Sequence, residues 1–199
     1  MPPESILSRF GHTSLSVIAQ GGVKILEHYS AIWQEIRKAY DGGFVTTEAT
    51  LQALLFRKLL SKFQGTHVVA EPTWWINNAE RRNPDLVVVQ NGEITDILEL
   101  KLDFYPKYQD DIDKLHLYAQ HCDSGISAKL GPDTMKQKMV PISDDCCLHF
   151  VAIALHDAAA IDRKMFESLP EKLRTNRCLY HWFGSVGGSG DNDWDVVKL

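Results

Sequence analysis

The first third of the chain places apolar side chains three or four positions apart. Between residues 23 and 40 this spacing is continuous, and a Gly-Gly pair ends it. A second stretch of the same kind runs from a cap at Thr46 or Thr47 to about residue 63. Such spacing gathers the apolar side chains on one helical face. The pattern therefore predicts two amphipathic helices, preceded by a loosely packed lead-in at 1–22.

After the second helix the pattern changes to that of strands. Short apolar or alternating runs, rich in β-branched residues and separated by turn residues, predict three successive strands at 68–70, 86–89 and 94–102. Helical spacing returns at 108–122 and is followed by a polar stretch, 124–145, which is expected to be a long loop. The remainder predicts a buried strand at 148–155, a helix at 158–173, a strand at 178–183 and a mobile tail at 187–199.

This order of elements, ααβββαβαβ, determines the expected fold class. A single domain over 1–199 is predicted, of the α/β class, with a mixed central β-sheet flanked by helices. The composition agrees, because 44% hydrophobic and 24% charged residues are ordinary for a globular protein of 199 residues. No run of about eighteen apolar residues occurs, so no membrane span is expected.

Cysteine spacing bears on the cellular location of the protein, and net charge bears on its possible binding partners. The four cysteines form no CxxC pair, which favours a reducing, cytoplasmic location over a disulfide framework. The formal net charge of −5 argues against a surface covered with phosphate-binding lysines. A local basic groove remains compatible with this charge, since an acidic metal site itself contributes negative charges.

Two charged residues, Glu99 and Lys101, lie inside the apolar strand predicted at 94–102. An unpaired charge in a buried strand costs several kcal/mol, roughly estimated, unless it pairs or coordinates a ligand. Side chains two positions apart on a strand share a face, so these two are predicted to point into one site. The alternative is a structural ion pair on a half-exposed edge strand.

The hairpin that precedes this strand decides whether Asp85 joins the same site. A two-residue turn would place Asp85 opposite Leu98, on the wrong face of the sheet. A three-residue turn over 90–92, with Gly92 left-handed in a bulge, would place Asp85 opposite Ile97 and on the face of the charged pair. We predict the three-residue turn, because a register change of one residue decides whether there is a site.

Three such residues would be suited to phosphodiester hydrolysis. Carboxylates such as Asp85 and Glu99 are oxygen ligands of the kind that Mg²⁺ prefers, and they leave several water molecules on the ion. A bound water is then the nucleophile. Lys101 is expected to position or help deprotonate this water and to offset charge on the phosphate.

The pattern Pro84-Asp85, a hairpin, then Glu99-Leu100-Lys101 resembles the PD-(D/E)xK nuclease superfamily over roughly 44–122. The resemblance implies a restriction-endonuclease-like core. It also implies a site that binds Mg²⁺, with Mn²⁺ able to substitute, through both carboxylates and the backbone carbonyl of Leu100.

The resemblance extends to residues on the flanking helices. An acidic residue on the helix before the sheet commonly completes such sites, and Glu48 is the match; it shares a helical stripe with apolar residues, so its carboxylate is expected to face inward. Lys114 and Tyr118 have a spacing similar to the Gln-x-x-x-Tyr motif of RecB-like nucleases, with lysine in place of glutamine. These two residues, with Arg81 and Arg82 just before the site, are candidate nucleic-acid contacts.

The expected function is a Mg²⁺-dependent DNA endonuclease acting in defence, repair or mobile-element processing, with a homodimer or a partner protein supplying specificity. DNA as substrate follows from the resemblance alone. Two alternatives stay open. One is a nuclease-like module that binds or assembles without catalysis, and the other is a small interaction protein of the inhibitor or immunity type.

Overall fold

A computed structural model describes residues 15–63, 65–72, 74–76, 80–102, 110–111, 113–115, 117–118, 128–130, 138–155, 179–186 and 194–198. Two long helices are α1 (Leu15–Asp41) and α2 (Glu48–Lys62). Seven described residues between 110 and 118 are helical and are called the helical segment 110–118 below. The strands are β1 (Thr66–Ala70), β2 (Trp74–Ile76), β3 (Glu80–Arg82), β4 (Leu86–Gln90), β5 (Glu93–Leu102), β6 (Ala128–Leu130), β7 (Lys138–Val140), β8 (Ile142–Leu155), β9 (Leu179–Val186) and β10 (Trp194–Lys198).

Six strands form one mixed sheet in the order β1-β4-β5-β8-β9-β10. The neighbours β5–β8 and β8–β9 are parallel, and the outer pairs β1–β4, β4–β5 and β9–β10 are antiparallel. This arrangement confirms the predicted α/β class with a mixed sheet. Within the described residues, no helix combines the length and apolar character needed to cross a membrane.

Helices cover both faces of the sheet, and alternation along β5 assigns each residue to one of them. Leu98 and Leu100 pack with the buried residues of α1 and α2. Ile97 packs on the other face with Leu115 and Tyr118 of the helical segment 110–118. Since side chains alternate along a strand, Glu99 must also face that segment.

Both ends of the chain contain more structure than the sequence predicts. Helix α1 begins at Leu15, so part of the stretch expected to be a loosely packed lead-in is helical. The expectation of a mobile tail is wrong for 194–198, which form β10 beside β9. Trp194 is only 6% exposed and packs on Gly184, where an added Cβ would lie 2.9 Å from the indole ring. Residues 1–14 and 187–193 lie outside the described part.

The stretch expected to be a long loop also contains strands. Strands β6 and β7 pair as an antiparallel ribbon, and β8 begins at Ile142 instead of residue 148. A second ribbon, β2 with β3, lies between β1 and β4 in sequence and was not predicted. The helix predicted at 158–173 falls outside the described residues.

Thr47 starts the helix that carries Glu48, which resolves the choice between Thr46 and Thr47. The Thr47 hydroxyl accepts a hydrogen bond from the Thr50 backbone N–H, and the Thr50 hydroxyl accepts one from the Thr47 N–H. This reciprocal capping box satisfies two N–H groups that a helix leaves unpaired.

Replacing Thr47 with alanine is expected to lower the free energy of unfolding by about 1 kcal/mol, because the N-cap acceptor is lost. Thr46→Ala is the matched control, and we expect a change of less than about 0.5 kcal/mol because Thr46 does not cap the helix. Urea denaturation of both variants measures the difference. Equal losses in the two would contradict the assignment of the cap.

Candidate active site

The hairpin between β4 and β5 closes with a two-residue turn, so the predicted three-residue turn is wrong. Gln90 pairs directly with Glu93, and the turn residues Asn91 and Gly92 both have positive φ, 54° and 85°. Asn-Gly is the favoured pair for this kind of turn because both residues tolerate positive φ. On its own, such a turn would place Asp85 on the wrong face.

A β-bulge further along β5 restores the required register. The ladder shifts by one residue at Thr95, which is left without a partner on β4. Beyond the bulge Val87 pairs with Ile97, so that Asp85, two residues earlier, lies opposite Glu99. The predicted pairing of Asp85 with Ile97 is wrong by two residues, but a shift of two preserves the face. Asp85 and Glu99 therefore lie on one side of the sheet.

Asp85 is fixed through both its carboxylate and its backbone. Its Oδ2 accepts a hydrogen bond from the Leu100 N–H at 2.6 Å. Its backbone carbonyl accepts bonds from the Gln52 amide at 2.9 Å and the Glu71 N–H at 3.0 Å. Burial and, to a smaller extent, the nearby Glu48 carboxylate outweigh the opposing Leu100 hydrogen bond, and together these effects raise the pKa of Asp85 to about 6. Asp85 is thus a preorganised, energetically costly carboxylate.

Glu99 is the most enclosed charged group of the site, with 0% of the residue exposed. Its Oε2 lies 3.0 Å from Lys114 Nζ, whereas Oε1 is buried without a full hydrogen bond from the described residues. Burial, and after it the Asp85 carboxylate, outweigh the opposing effects of Lys114 and Tyr118, and the net result raises the pKa of Glu99 to about 8. A carboxylate in this position needs additional positive charge to remain ionised at neutral pH.

Two lysines meet at Asp111, a residue that the sequence reasoning missed. Lys101 Nζ lies 3.7 Å from one Asp111 oxygen, and Lys114 Nζ lies 3.1 Å from the other. Burial lowers the pKa of Lys114, but the carboxylates of Glu99 and Asp111 outweigh it and the net shift is upward. Asp111 lies three residues before Lys114 and seven before Tyr118, a spacing that places all three on one helical face. That spacing was the available signal.

Glu48 occupies the rim of the site instead of facing inward as predicted. It is the first residue of α2, and its exposed carboxylate accepts a hydrogen bond from the Leu102 N–H at 3.4 Å. This contact places it at the end of β5 just beyond Lys101. The difference arises because the first turn of α2 projects past the core, which begins at Leu51.

The predicted nucleic-acid contacts divide into two pairs. Lys114 and Tyr118 lie against Glu99, within the site itself. Arg81 and Arg82 belong to β3, opposite Trp75 and Trp74 in the β2–β3 ribbon. The side chains of these two arginines lie outside the described part, so their role stays a prediction.

The charges at the site do not balance. Four carboxylates, when ionised, face two ammonium groups and leave a formal charge of −2; the groups are Asp85, Glu99, Asp111, Glu48, Lys101 and Lys114.

No family model, curated protein or solved structure matches the chain. The function must therefore be argued from these residues.

The oxygen donors of this site are of the kind that a divalent ion binds. Among the described residues, no group of three or more His, Cys, Asp and Glu side chains has the arrangement of a metal-binding cluster. Mg²⁺, however, is commonly held by one or two carboxylates, with water and substrate oxygens completing its shell. Asp85 and Glu99 meet that requirement, and Glu99 Oε1, which has no full hydrogen bond from the described residues, is an available ligand atom.

A second polar cluster lies on the opposite face, at the wall of a cavity of about 420 Å³. Asp96 accepts hydrogen bonds from Tyr29 at 2.5 Å and from His149 Nε2 at 2.9 Å, while Trp182 donates to His149 Nδ1 at 3.1 Å. The Trp182 bond occupies the lone pair on Nδ1, so the ring proton is on Nε2 and points at Asp96. Both ring nitrogens of His149 are therefore engaged in hydrogen bonds within this cluster.

Proposed function

We propose that the chain is a metal-dependent nuclease with a restriction-endonuclease-like core. The order of core elements supports this: helix α2, strands β1, β4 and β5, the helical segment 110–118, then strand β8. In this core β1, β4 and β5 are successively antiparallel, and β8 joins parallel to β5. Apart from Glu48 on α2, the candidate residues lie just before β4, on β5 and on the helical segment that follows it.

The observation that carries the proposal is the state of Glu99. It is fully buried beside a second carboxylate, and one of its oxygens lacks a full hydrogen bond from the described residues. Lys114 pairs with its other oxygen, but incomplete compensation of a buried charge costs several kcal/mol, roughly estimated, and a purely structural role would be served better by an apolar residue. A divalent cation held between Asp85 and Glu99 would compensate both.

When bound, Mg²⁺ would supply Lewis-acid polarisation of a phosphate oxygen and a more acidic water. The chain's own residues would position the reacting groups and offset charge on the phosphate. The Leu100 N–H holds the Asp85 carboxylate toward β5. Lys101 shares the face of Glu99, and its side chain is 27% exposed, so its amine can orient an attacking water and offset charge on the phosphate. Asp111 positions that amine.

The expected substrate is DNA, cut internally, as the resemblance to the PD-(D/E)xK superfamily implies. The net charge of −5 is unfavourable for a wide nucleic-acid surface, so contacts would be local and would include the predicted positions Arg81 and Arg82. One small domain offers little surface for reading sequence, and a homodimer or partner protein is therefore part of the proposal.

The test is cleavage of supercoiled plasmid, linear single-stranded DNA and RNA by purified protein, in Mg²⁺, in Mn²⁺ and in chelator. We expect nicking or linearisation of DNA with either metal and none in chelator. Glu99→Gln, purified in parallel, controls for a contaminating nuclease. Equal, negligible cleavage by both proteins in every condition would overturn the proposal and favour a module that binds without catalysis.

A further inference from the structure

Lys114 reaches from the helical segment to the carboxylate that the proposed function assigns to the metal. Its Nζ lies 3.0 Å from Glu99 Oε2 and 3.1 Å from Asp111 Oδ1, so one ammonium is shared between two acceptors. Glu99 is fully buried and Asp111 is 7% exposed. The Lys114 side chain is 30% exposed and therefore borders solvent.

An ammonium and a divalent ion compete for the same carboxylate. Both are positively charged, and their mutual repulsion is strong in a site that is partly shielded from water. A metal bound by Glu99 would therefore displace Lys114 or bind more weakly in its presence. The displaced Lys114 ammonium would still have an acceptor, because Asp111 lies one helical turn earlier and already accepts a hydrogen bond from it.

The position of Asp111 suits it to receive the displaced charge. Its second oxygen lies 3.7 Å from Lys101 Nζ, so it already lies between the two lysines of the site. A carboxylate has lone pairs for several donors, and Asp111 can bind Lys114 fully without releasing Lys101. Lys114 can therefore leave Glu99 and keep an ion pair.

We propose that Lys114 is a built-in counterion that occupies Glu99 when no metal is bound, and that Asp111 takes over Lys114 when a divalent ion arrives. This rests on the proposed metal site, and it adds that the strength of the Lys114–Glu99 contact sets the metal affinity. Lys114 and Asp111 are positioning residues in this scheme.

Calorimetric titration of the full chain with Mn²⁺ and with Mg²⁺ tests the proposal. Lys114→Met removes the competing charge, and we expect the metal dissociation constant to fall by about tenfold. Lys114→Arg keeps the charge but holds a carboxylate through two parallel N–H bonds, so we expect a dissociation constant raised several-fold. Lys62→Met, at an exposed position in the last turn of α2, has the same net charge as Lys114→Met and should bind like the wild type.

The outcomes separate this inference from the proposed function. Metal binding with equal or weaker affinity in Lys114→Met would overturn the inference and leave the metal site standing. An unchanged affinity in Lys114→Arg would also overturn it, because a general charge effect does not distinguish the two cations. This variant keeps the test decisive if the methionine protein fails to fold. Absence of metal binding in the wild type and both Lys114 variants would overturn inference and site together.

Discussion

Replacing Lys101 with alanine is expected to slow metal-dependent DNA cleavage by about a thousandfold, which corresponds to about 4 kcal/mol of transition-state stabilisation. The reason is that Lys101 shares a face with Glu99 and places a partly exposed amine at the proposed site. Its removal takes away positive charge where negative charge develops on the phosphate. Single-turnover cleavage at saturating metal is the measurement.

Folding and charge effects can be separated from catalysis in this experiment. The Lys101–Asp111 contact is long, at 3.7 Å, so its loss should change the unfolding midpoint by only a few degrees, roughly estimated. Lys62→Ala removes an exposed lysine elsewhere and should cleave at the wild-type rate. Cleavage by Lys101→Ala within a factor of about three of the wild type would assign that lysine to a structural ion pair.

The face of the sheet that carries the candidate site was predictable from the sequence. The turn and the strand register that place the residues on that face were not. Asn91-Gly92 is a strong two-residue turn signal, but with unbroken pairing such a turn would place Asp85 on the opposite face from Glu99. The structure keeps that turn and corrects the register at Thr95 instead. The requirement that the charged residues share a site gave the right face, although both local details were wrong.

The bulge is visible in the packing of β5. Ile94 and Ile97 are three residues apart, yet both pack in the core on the face of the helical segment, which unbroken alternation would forbid. The extra residue also turns Asp96 to the α1 side, where Tyr29 and His149 donate to it. Those donors are distant in sequence, so the position of the bulge could not be derived from the hairpin alone.

Asp111 and the last strand were missed for a similar reason. The stripe of Asp111, Lys114 and Tyr118 is readable as a helical face, but only the packing of that helix on β5 brings it to Glu99. At the other end of the chain, Gly- and Asp-rich composition concealed a strand in which buried Trp194 and Val196 flank exposed Asp195. Alternation of burial over so few residues is a weak signal beside such composition.

Asp85→Asn is expected to stabilise the metal-free protein by about 3 kcal/mol at pH 8, because it removes a buried carboxylate whose pKa is raised to about 6. The amide oxygen can still accept the hydrogen bond from the Leu100 N–H. A raised carboxyl pKa means that the folded state binds the proton more tightly than the unfolded state. This group therefore costs no stability below its unfolded pKa of 3.8, and the cost grows as pH rises toward 6.

The gain in Asp85→Asn should consequently be close to zero near pH 4 and complete above pH 6, as urea denaturation in chelator would measure at pH 4 and pH 8. Adding Mg²⁺ at pH 8 should then stabilise the wild type and leave the variant unchanged, because a ligand that binds only the folded state raises its stability. A carboxylate kept for structure would give the opposite result, with Asp85→Asn less stable at pH 8. The sign of the stability difference between Asp85→Asn and the wild type at pH 8 separates a residue retained for binding from one retained for folding.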